Sequence, residues 1–175
     1  MISHSKIRIE LVALFAACAL FLSTIEYMIP KPVPFMRLGL ANLPIIIALG
    51  ILKNREYLLL LVLKVLGQGL ISGTIFSYII LFSLAGSISS ALLMLLIYTL
   101  FKNKVSRVGI SLGGALGSSL SQLLISRLIL FKEATYVFAP LFLFSGLISS
   151  IILGIFANEF IHKSIWYAQL KEKTV

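Results

Sequence analysis

The chain has 175 residues, of which 59% are hydrophobic and 12% charged, and its mean hydropathy is +1.07. A soluble domain of this length cannot bury so much apolar surface, because a large share of its area stays exposed. The composition therefore predicts an integral membrane protein that resides in the lipid bilayer. The formal charge of +9 could suggest nucleic-acid binding, but the basic residues are scattered between apolar runs, and orientation in the membrane explains them better. We expect no nucleic-acid partner.

A helix needs about 20 apolar residues to cross a bilayer. By that measure the apolar runs predict an all-α membrane protein, a single bundle of six transmembrane helices. In chain order the predicted helices cover about residues 7–29, 38–52, 56–72, 78–101, 107–130 and 136–160. The second predicted helix is short for a full crossing.

A proline-rich segment separates the first two predicted helices. Pro30, Pro32 and Pro34 cannot continue a helix, and each pushes the preceding residue out of the α region. Arg37 and Asn42 follow at once and lead into the next apolar run. Irregular backbone at membrane depth lines cavities, so this segment is a candidate ligand-binding loop. The alternative is a plain connector whose cations rest at the lipid headgroups.

The distribution of Lys and Arg predicts the orientation of the chain, because cytoplasmic loops carry an excess of these residues. With the N-terminus inside, the outer segments hold Lys31, Arg37 and Lys132. The inner segments hold a larger set: Lys6, Arg8, Lys53, Arg55, Lys102, Lys104, Arg107, Lys163, Lys171 and Lys173. Both termini are therefore expected in the cytoplasm.

Small residues recur every four positions in three of the predicted helices. The fifth helix has Gly109, Gly113, Gly117 and Ser121, and the sixth has Gly146, Ser150 and Gly154. Such spacing lets membrane helices approach closely, and packing within the bundle is the expected use. In the first helix, Ala13 and Ala17 form a shorter version of the pattern that could dock another membrane protein.

Polar side chains within the spans are the candidate ligand site, because ionisable groups in hydrocarbon are costly unless paired or facing a cavity. Lys64, Gln68 and Ser72 are spaced by four and share one helix face. Arg37, Asn42, Lys64, Gln68 and Gln122 could together line an outward-facing pocket of positive charge, suited to an anionic ligand. The alternative is that Lys64 pairs with Glu26, or with a carbonyl at a helix end, and only locks the bundle.

No catalytic or metal-binding machinery is recognisable in the sequence. His4 and His162 are terminal, no carboxylate pair lies within a span, and the only cysteine, Cys18, leaves no disulfide and no Cys/His metal cluster. No glycine-rich loop precedes a Lys-Ser or Lys-Thr pair. We expect no enzymatic activity and no cofactor, so uphill transport would take its energy from another protein.

Four segments resemble the Gx transporter family, also called heptaprenyl diphosphate synthase component I. They are Pro34-Phe-Met-Arg-Leu-Gly-Leu-Ala-Asn42, the segment 69–77, Ser83-Leu-Ala-Gly86 and the run from Gly113 to Gln122. The chain is also similar, more distantly, to the substrate-binding S components of energy-coupling-factor (ECF) transporters.

This resemblance implies an S-component-like six-helix bundle in the bacterial inner (cell) membrane. A small-molecule ligand would enter from outside, between the loops and the fourth to sixth helices. Ala13 and Ala17 would contact a transmembrane coupling subunit that is served by two ATPase subunits. The alternative function is a membrane accessory subunit of a prenyl (heptaprenyl) diphosphate synthase, which would help a soluble enzyme take or release a lipidic product.

Overall fold

The structure is a computed structural model that describes residues 4–30, 38–74, 76–101 and 104–174. Within these ranges the regular structure is entirely helical, which confirms the all-α prediction for the described part. The α-helices are α1 (His4–Met28), α2 (Leu43–Ala48), α3 (Asn54–Ile71), α4 (Ile79–Phe101), α5 (Arg107–Ile125), α6 (Thr135–Lys163) and α7 (Ile165–Thr174). The 3-10 turn Leu40–Asn42 precedes α2.

Three helical stretches among the described residues are long and apolar enough to cross a membrane, which indicates a membrane protein. They are Arg8–Met28, Ile79–Phe101 and Arg107–Lys163. The last has 57 residues, about 86 Å as a straight helix, far more than the hydrocarbon core of about 30 Å. It is not straight: α5 and α6 pack side by side as a hairpin.

The turn between α5 and α6 is made without a glycine. A π-helical segment, Ser126–Phe131, extends α5, and Lys132 then adopts a left-handed φ of 45°. The hydroxyls of Ser126 and Thr135 meet at 3.1 Å across the turn. The predicted fifth helix therefore ends its regular α-helical part at Ile125, and the remaining residues form the turn.

Small residues bring α4, α5 and α6 into close contact. A side chain on Gly117 would meet Leu93 and the carbonyl oxygen of Ser89 on α4, and one on Gly154 would come within 2.6 Å of the Cα of Val108 on α5. The Ser121 hydroxyl donates to the Ala85 carbonyl at 3.3 Å, which adds a polar contact between α4 and α5. Glycine and serine in these helices therefore serve packing within the bundle, as their spacing indicated.

Helices α1 and α3 run parallel. Arg8 Nε lies 3.3 Å from Glu56 Oε1 at their N-terminal ends, and further along both helices Leu20 packs on Gly67. The chain must therefore return between the end of α1 and the start of α3. Residues 30–53 make that return.

The returning segment differs from the single helix expected at 38–52. The 3-10 turn begins after Gly39, whose φ is 84°, and α2 has 6 residues, a length of about 9 Å. Ile46 and Ala48 are fully buried, as are Ala41 before α2 and Leu49 after it, so the described backbone next to α2 runs through protein instead of lipid. The apolar run predicted a longer helix, whereas the left-handed Gly39 precedes its start and a turn at residues 49–51 ends it.

Helix α7 was not predicted, because it lacks a long apolar run. Ser164 is extended (ψ 110°) and separates it from α6. Tyr167 is buried on α7, and its hydroxyl lies against Gly50, with Arg107 beside it. Burial raises the pKa of Tyr167 and the charge of Arg107 opposes this. Trp166 packs edge-on against Phe15 of α1, so α7 closes one end of the bundle.

Candidate functional site

A polar cavity lies inside the apolar bundle, between α1, α3, α4, α5, α6 and the turn before α2. Its volume is about 30 Å³, room for about one water molecule. Serine hydroxyls line much of it, together with one carboxylate, one ammonium and one amide. The polar lining residues are Glu26, Asn42, Lys64, Ser87, Ser111, Ser118, Ser119 and Ser150.

Glu26 ties the turn before α2 to the end of α1. Its side chain is 3% exposed; Oε1 accepts the backbone N–H of Leu38 and Oε2 that of Leu40, each at 2.8 Å. On the other side, the Ser149 hydroxyl of α6 donates to the Leu38 carbonyl at 2.6 Å. The turn that forms one wall of the cavity is therefore held from two directions.

Lys64 and Asn42, both predicted site residues, meet in this cavity. Lys64 Nζ donates to Asn42 Oδ1 at 2.6 Å, and Lys64 is 3% exposed. Asn42 is the last residue of the 3-10 turn before α2, and Lys64 lies on α3. A buried ammonium needs such partners because an uncompensated charge in a low-dielectric interior is costly. Glu26, considered in the sequence as a partner for Lys64, lines the same cavity.

Gln122 is not in the cavity wall, but it bonds to the hydroxyl of a serine that is. Its Nε2 donates to Ser118 Oγ at 2.7 Å, and Ser118 lines the cavity. Gly86 on α4 leaves the space for this amide, since a side chain there would collide with Gln122 Nε2. Gln122 is 1% exposed and its Oε1 has no hydrogen-bond partner among the described residues. The prediction therefore found a buried polar position, but not one in the cavity wall.

Gln68 and Arg37 are not part of the observed cavity wall. Gln68 is 9% exposed, one turn beyond Lys64 on α3, and its Oε1 has no hydrogen-bond partner within the described ranges. The neighbouring Gly67 receives Leu20 of α1, so this glycine serves helix packing. Arg37 lies outside the described residues, and its predicted role stays a prediction.

Sequence analysis missed most of the serines in the wall. Ser87 on α4, Ser111 and Ser119 on α5, and Ser150 on α6 lie among glycines, other serines and apolar residues, and small residues in such a sequence indicate packing between helices. The spacing of the serines in the sequence could have revealed them. Ser83, Ser87 and Ser90 fall on one face of α4, and all three are buried. A polar stripe on an otherwise apolar helix points toward a polar interior.

A second, apolar groove runs between α1 and α6, with α2 behind it and α7 at one end. Its volume is about 580 Å³, and its walls are aliphatic and aromatic apart from Cys18. The lining residues are Leu14, Phe15, Ala17, Cys18, Phe21, Leu22, Leu43, Pro44, Ile47, Phe156, Phe160 and Trp166. Ala13 and Ala17, the predicted docking residues, are both exposed on α1.

These features define a class: an all-α protein with apolar, membrane-type helices around a small polar interior. No group of three His, Cys, Asp or Glu side chains within the described ranges could hold a metal ion.

Residues 15–160 match the family described as Heptaprenyl diphosphate synthase component I. The chain belongs to this family, also known as the Gx transporter family, which the sequence resembled. No curated protein and no solved structure matches the chain.

Proposed function

We propose that this protein is the membrane-embedded substrate-binding subunit of an ECF-type importer for a small polar or anionic ligand. In this proposal the chain does no chemistry of its own. It captures its ligand from outside, in a bacterial cell membrane, and a coupling subunit with two ATPases supplies the energy.

The observation that carries the proposal is the polar cavity. Buried polar groups cost free energy unless they are satisfied, yet this bundle gathers a carboxylate, an ammonium, an amide and several hydroxyls at one interior point. Polar residues within membrane helices mark solute pathways and binding sites. A purely structural bundle would be simpler to build with apolar side chains at those positions.

Capture from outside requires a particular arrangement of the chain in the membrane. We propose six crossings, with residues 38–52 as the second and both termini in the cytoplasm, on the basis of the Lys and Arg distribution. Reporter fusions after Lys53, Lys104 and Lys173 are expected to be cytoplasmic. A signal from the outer face at any of the three would contradict this topology.

The exposed small residues on α1 are the proposed contact with the coupling subunit. Replacing Ala13 and Ala17 with Leu should prevent close approach of a partner helix without disturbing the fold, because both positions are exposed. The expected result is loss of co-purified coupling subunit and of ATP-dependent uptake, with unchanged thermal stability. Val62→Phe, which enlarges another exposed position on α3, is the matched control. Normal assembly of the double variant would remove α1 from the interface.

The second candidate function is suggested by the apolar groove together with the family description. A wholly apolar groove of about 580 Å³ suits a hydrocarbon chain better than a polar solute. In this candidate function the chain is an accessory subunit that receives the lipidic product of a soluble prenyl diphosphate synthase.

Co-purification from the native membrane separates the two candidates. A coupling subunit with ATPases would support import, and a prenyl synthase in their place would support the accessory function. Recovery of the synthase alone would overturn the importer proposal.

A further inference from the structure

The hydrogen-bond directions in the polar cavity carry information about its ligand. We infer that the cavity is built for a small zwitterionic ligand, one that joins a cationic donor group to an anionic acceptor group with no net charge. The inference rests on the proposed binding function and narrows the ligand class.

Some groups in the wall can only accept hydrogen bonds from a ligand. The Ser111 hydroxyl donates its hydrogen to the Ser150 carbonyl at 2.8 Å, and the Ser150 hydroxyl donates to the Leu147 carbonyl at 2.8 Å. A hydroxyl has a single hydrogen, so both oxygens can only accept from a ligand. Glu26, whose carboxylate is an acceptor when ionised, lines the same cavity. These groups suit an ammonium or another N–H donor.

Other groups in the wall offer hydrogen-bond donors. Lys64 has three N–H donors and no acceptor. Ser118 Oγ already accepts from Gln122 Nε2 at 2.7 Å, and no described residue takes the Ser118 hydrogen, so this hydroxyl can donate into the cavity. An ammonium and a hydroxyl donor together suit a carboxylate or another anionic acceptor, because hydrogen bonds between ionised groups are the stronger ones.

The charges of the described lining residues balance. Glu26 and Lys64 are the ionisable side chains among the described lining residues, and they carry opposite charges. A ligand with a net negative charge would face the Glu26 carboxylate as well as the Lys64 ammonium, and like charges repel strongly where the dielectric is low. The excess of positive charge expected from the sequence came from Arg37 and Lys64; Arg37 lies outside the described residues, and Glu26 was considered there as a partner for Lys64.

The size of the cavity bounds the ligand. A volume of about 30 Å³ holds about one water molecule, so even a small zwitterion must displace the wall. The displaceable wall is the turn 38–42, because it is held by side-chain hydrogen bonds from Glu26, Ser149 and Lys64. A small zwitterion requires the least displacement of that turn.

The test uses the full chain, purified in detergent, and three probes of similar size: glycine, acetate and methylammonium. A ligand that binds the folded state raises Tm by mass action. Glycine is expected to raise Tm, and to do so more than acetate or methylammonium at equal concentration. A larger Tm shift with acetate or with methylammonium than with glycine would contradict the zwitterionic ligand class. The proposed binding function would still stand in that case. If none of the three probes shifts Tm, the zwitterionic ligand class is also contradicted.

Two serine variants on α5 test whether glycine binds in the polar cavity. Ser118→Ala removes the donor and is expected to weaken glycine binding about tenfold. Ser121→Ala, whose hydroxyl bonds only to backbone carbonyls outside the cavity wall, is the matched control with unchanged affinity. Equal effects of the two variants would overturn the assignment. Uptake and co-purification test the proposed importer function separately. The importer proposal can therefore fail while the ligand class stands, and the ligand class can fail while the importer proposal stands.

Discussion

The two halves of the bundle are assembled by different kinds of contact. In α4, α5 and α6, helices approach until a side chain on Gly154 would lie 2.6 Å from a neighbouring Cα. In α1, α2 and α3, a short buried helix is connected to its neighbours by side-chain hydrogen bonds from Glu26 and Lys64. The first arrangement is rigid because backbones touch, and the second can change because hydrogen bonds can be exchanged for others. The polar cavity lies where the two halves meet.

The largest expected effect tests the close packing of the second half. Gly154→Leu would push α6 away from α5, because its side chain would meet the backbone of Val108. We expect a loss of about 3 kcal/mol, the upper end for overpacking, measured as thermal stability in detergent. The control is Gly109→Leu: among the described residues, a Cβ at this position would meet the side chains of Val105 and Ser106, and the change should cost less than about 1 kcal/mol. Equal losses would mean that the α5–α6 contact is not specially tight.

A smaller effect tests the polar contacts of the first half. Lys64→Met deprives Asn42 Oδ1 of the ammonium that donates to it at 2.6 Å, and a buried acceptor without a donor costs about 1–3 kcal/mol. Asn42→Leu should cost a similar amount. The double variant removes both partners and should cost less than the sum, with a coupling energy of at least about 0.5 kcal/mol. Additive losses would show that the pair does not hold the turn.

The smallest effect concerns the ends of the parallel helices. Arg8 and Glu56 are partly exposed where they pair, so Arg8→Ala should cost no more than about 1 kcal/mol. Glu56→Ala should cost more, because Glu56 Oε2 also accepts the backbone N–H of Lys53 at 3.0 Å at the start of α3. Equal losses for the two variants would mean that the ion pair, and not the helix cap, stabilises this end.

Sequence patterns predicted the elements that follow simple rules of length and apolarity. The long apolar helices and the small-residue contacts between them were found, because each depends on residues close together in the chain. The short α2 and the unexpected α7 were not, because their limits depend on Gly39, Ser164 and on burial against other helices.

The candidate site was predictable to the same degree. Lys64 was found because a charge in an apolar helix is unusual, and Asn42 because it follows a proline-rich loop. The cavity serines look like packing residues until the fold brings three helices together. Gln122 and Gln68 show the converse: a polar side chain in a span need not line the cavity. The sequence offered Glu26 as a partner for Lys64, and the three-dimensional arrangement places it in the cavity wall.

The shortness of α2 has a consequence for how the chain enters the membrane. A helix of about 9 Å cannot span a hydrocarbon core of about 30 Å. The backbone groups of the turn before it reach their partners Glu26 and Ser149 only in the folded bundle, and irregular backbone of this kind cannot be left in lipid. Its polar anchor Asn42 finds Lys64 only on the helix that is synthesised next. In the six-crossing arrangement proposed above, we expect the segment to stay near the surface until α3 has been made and then to enter together with it. Insertion of this half would then couple α2 to α3, whereas α4, α5 and α6 have the length to enter one after another.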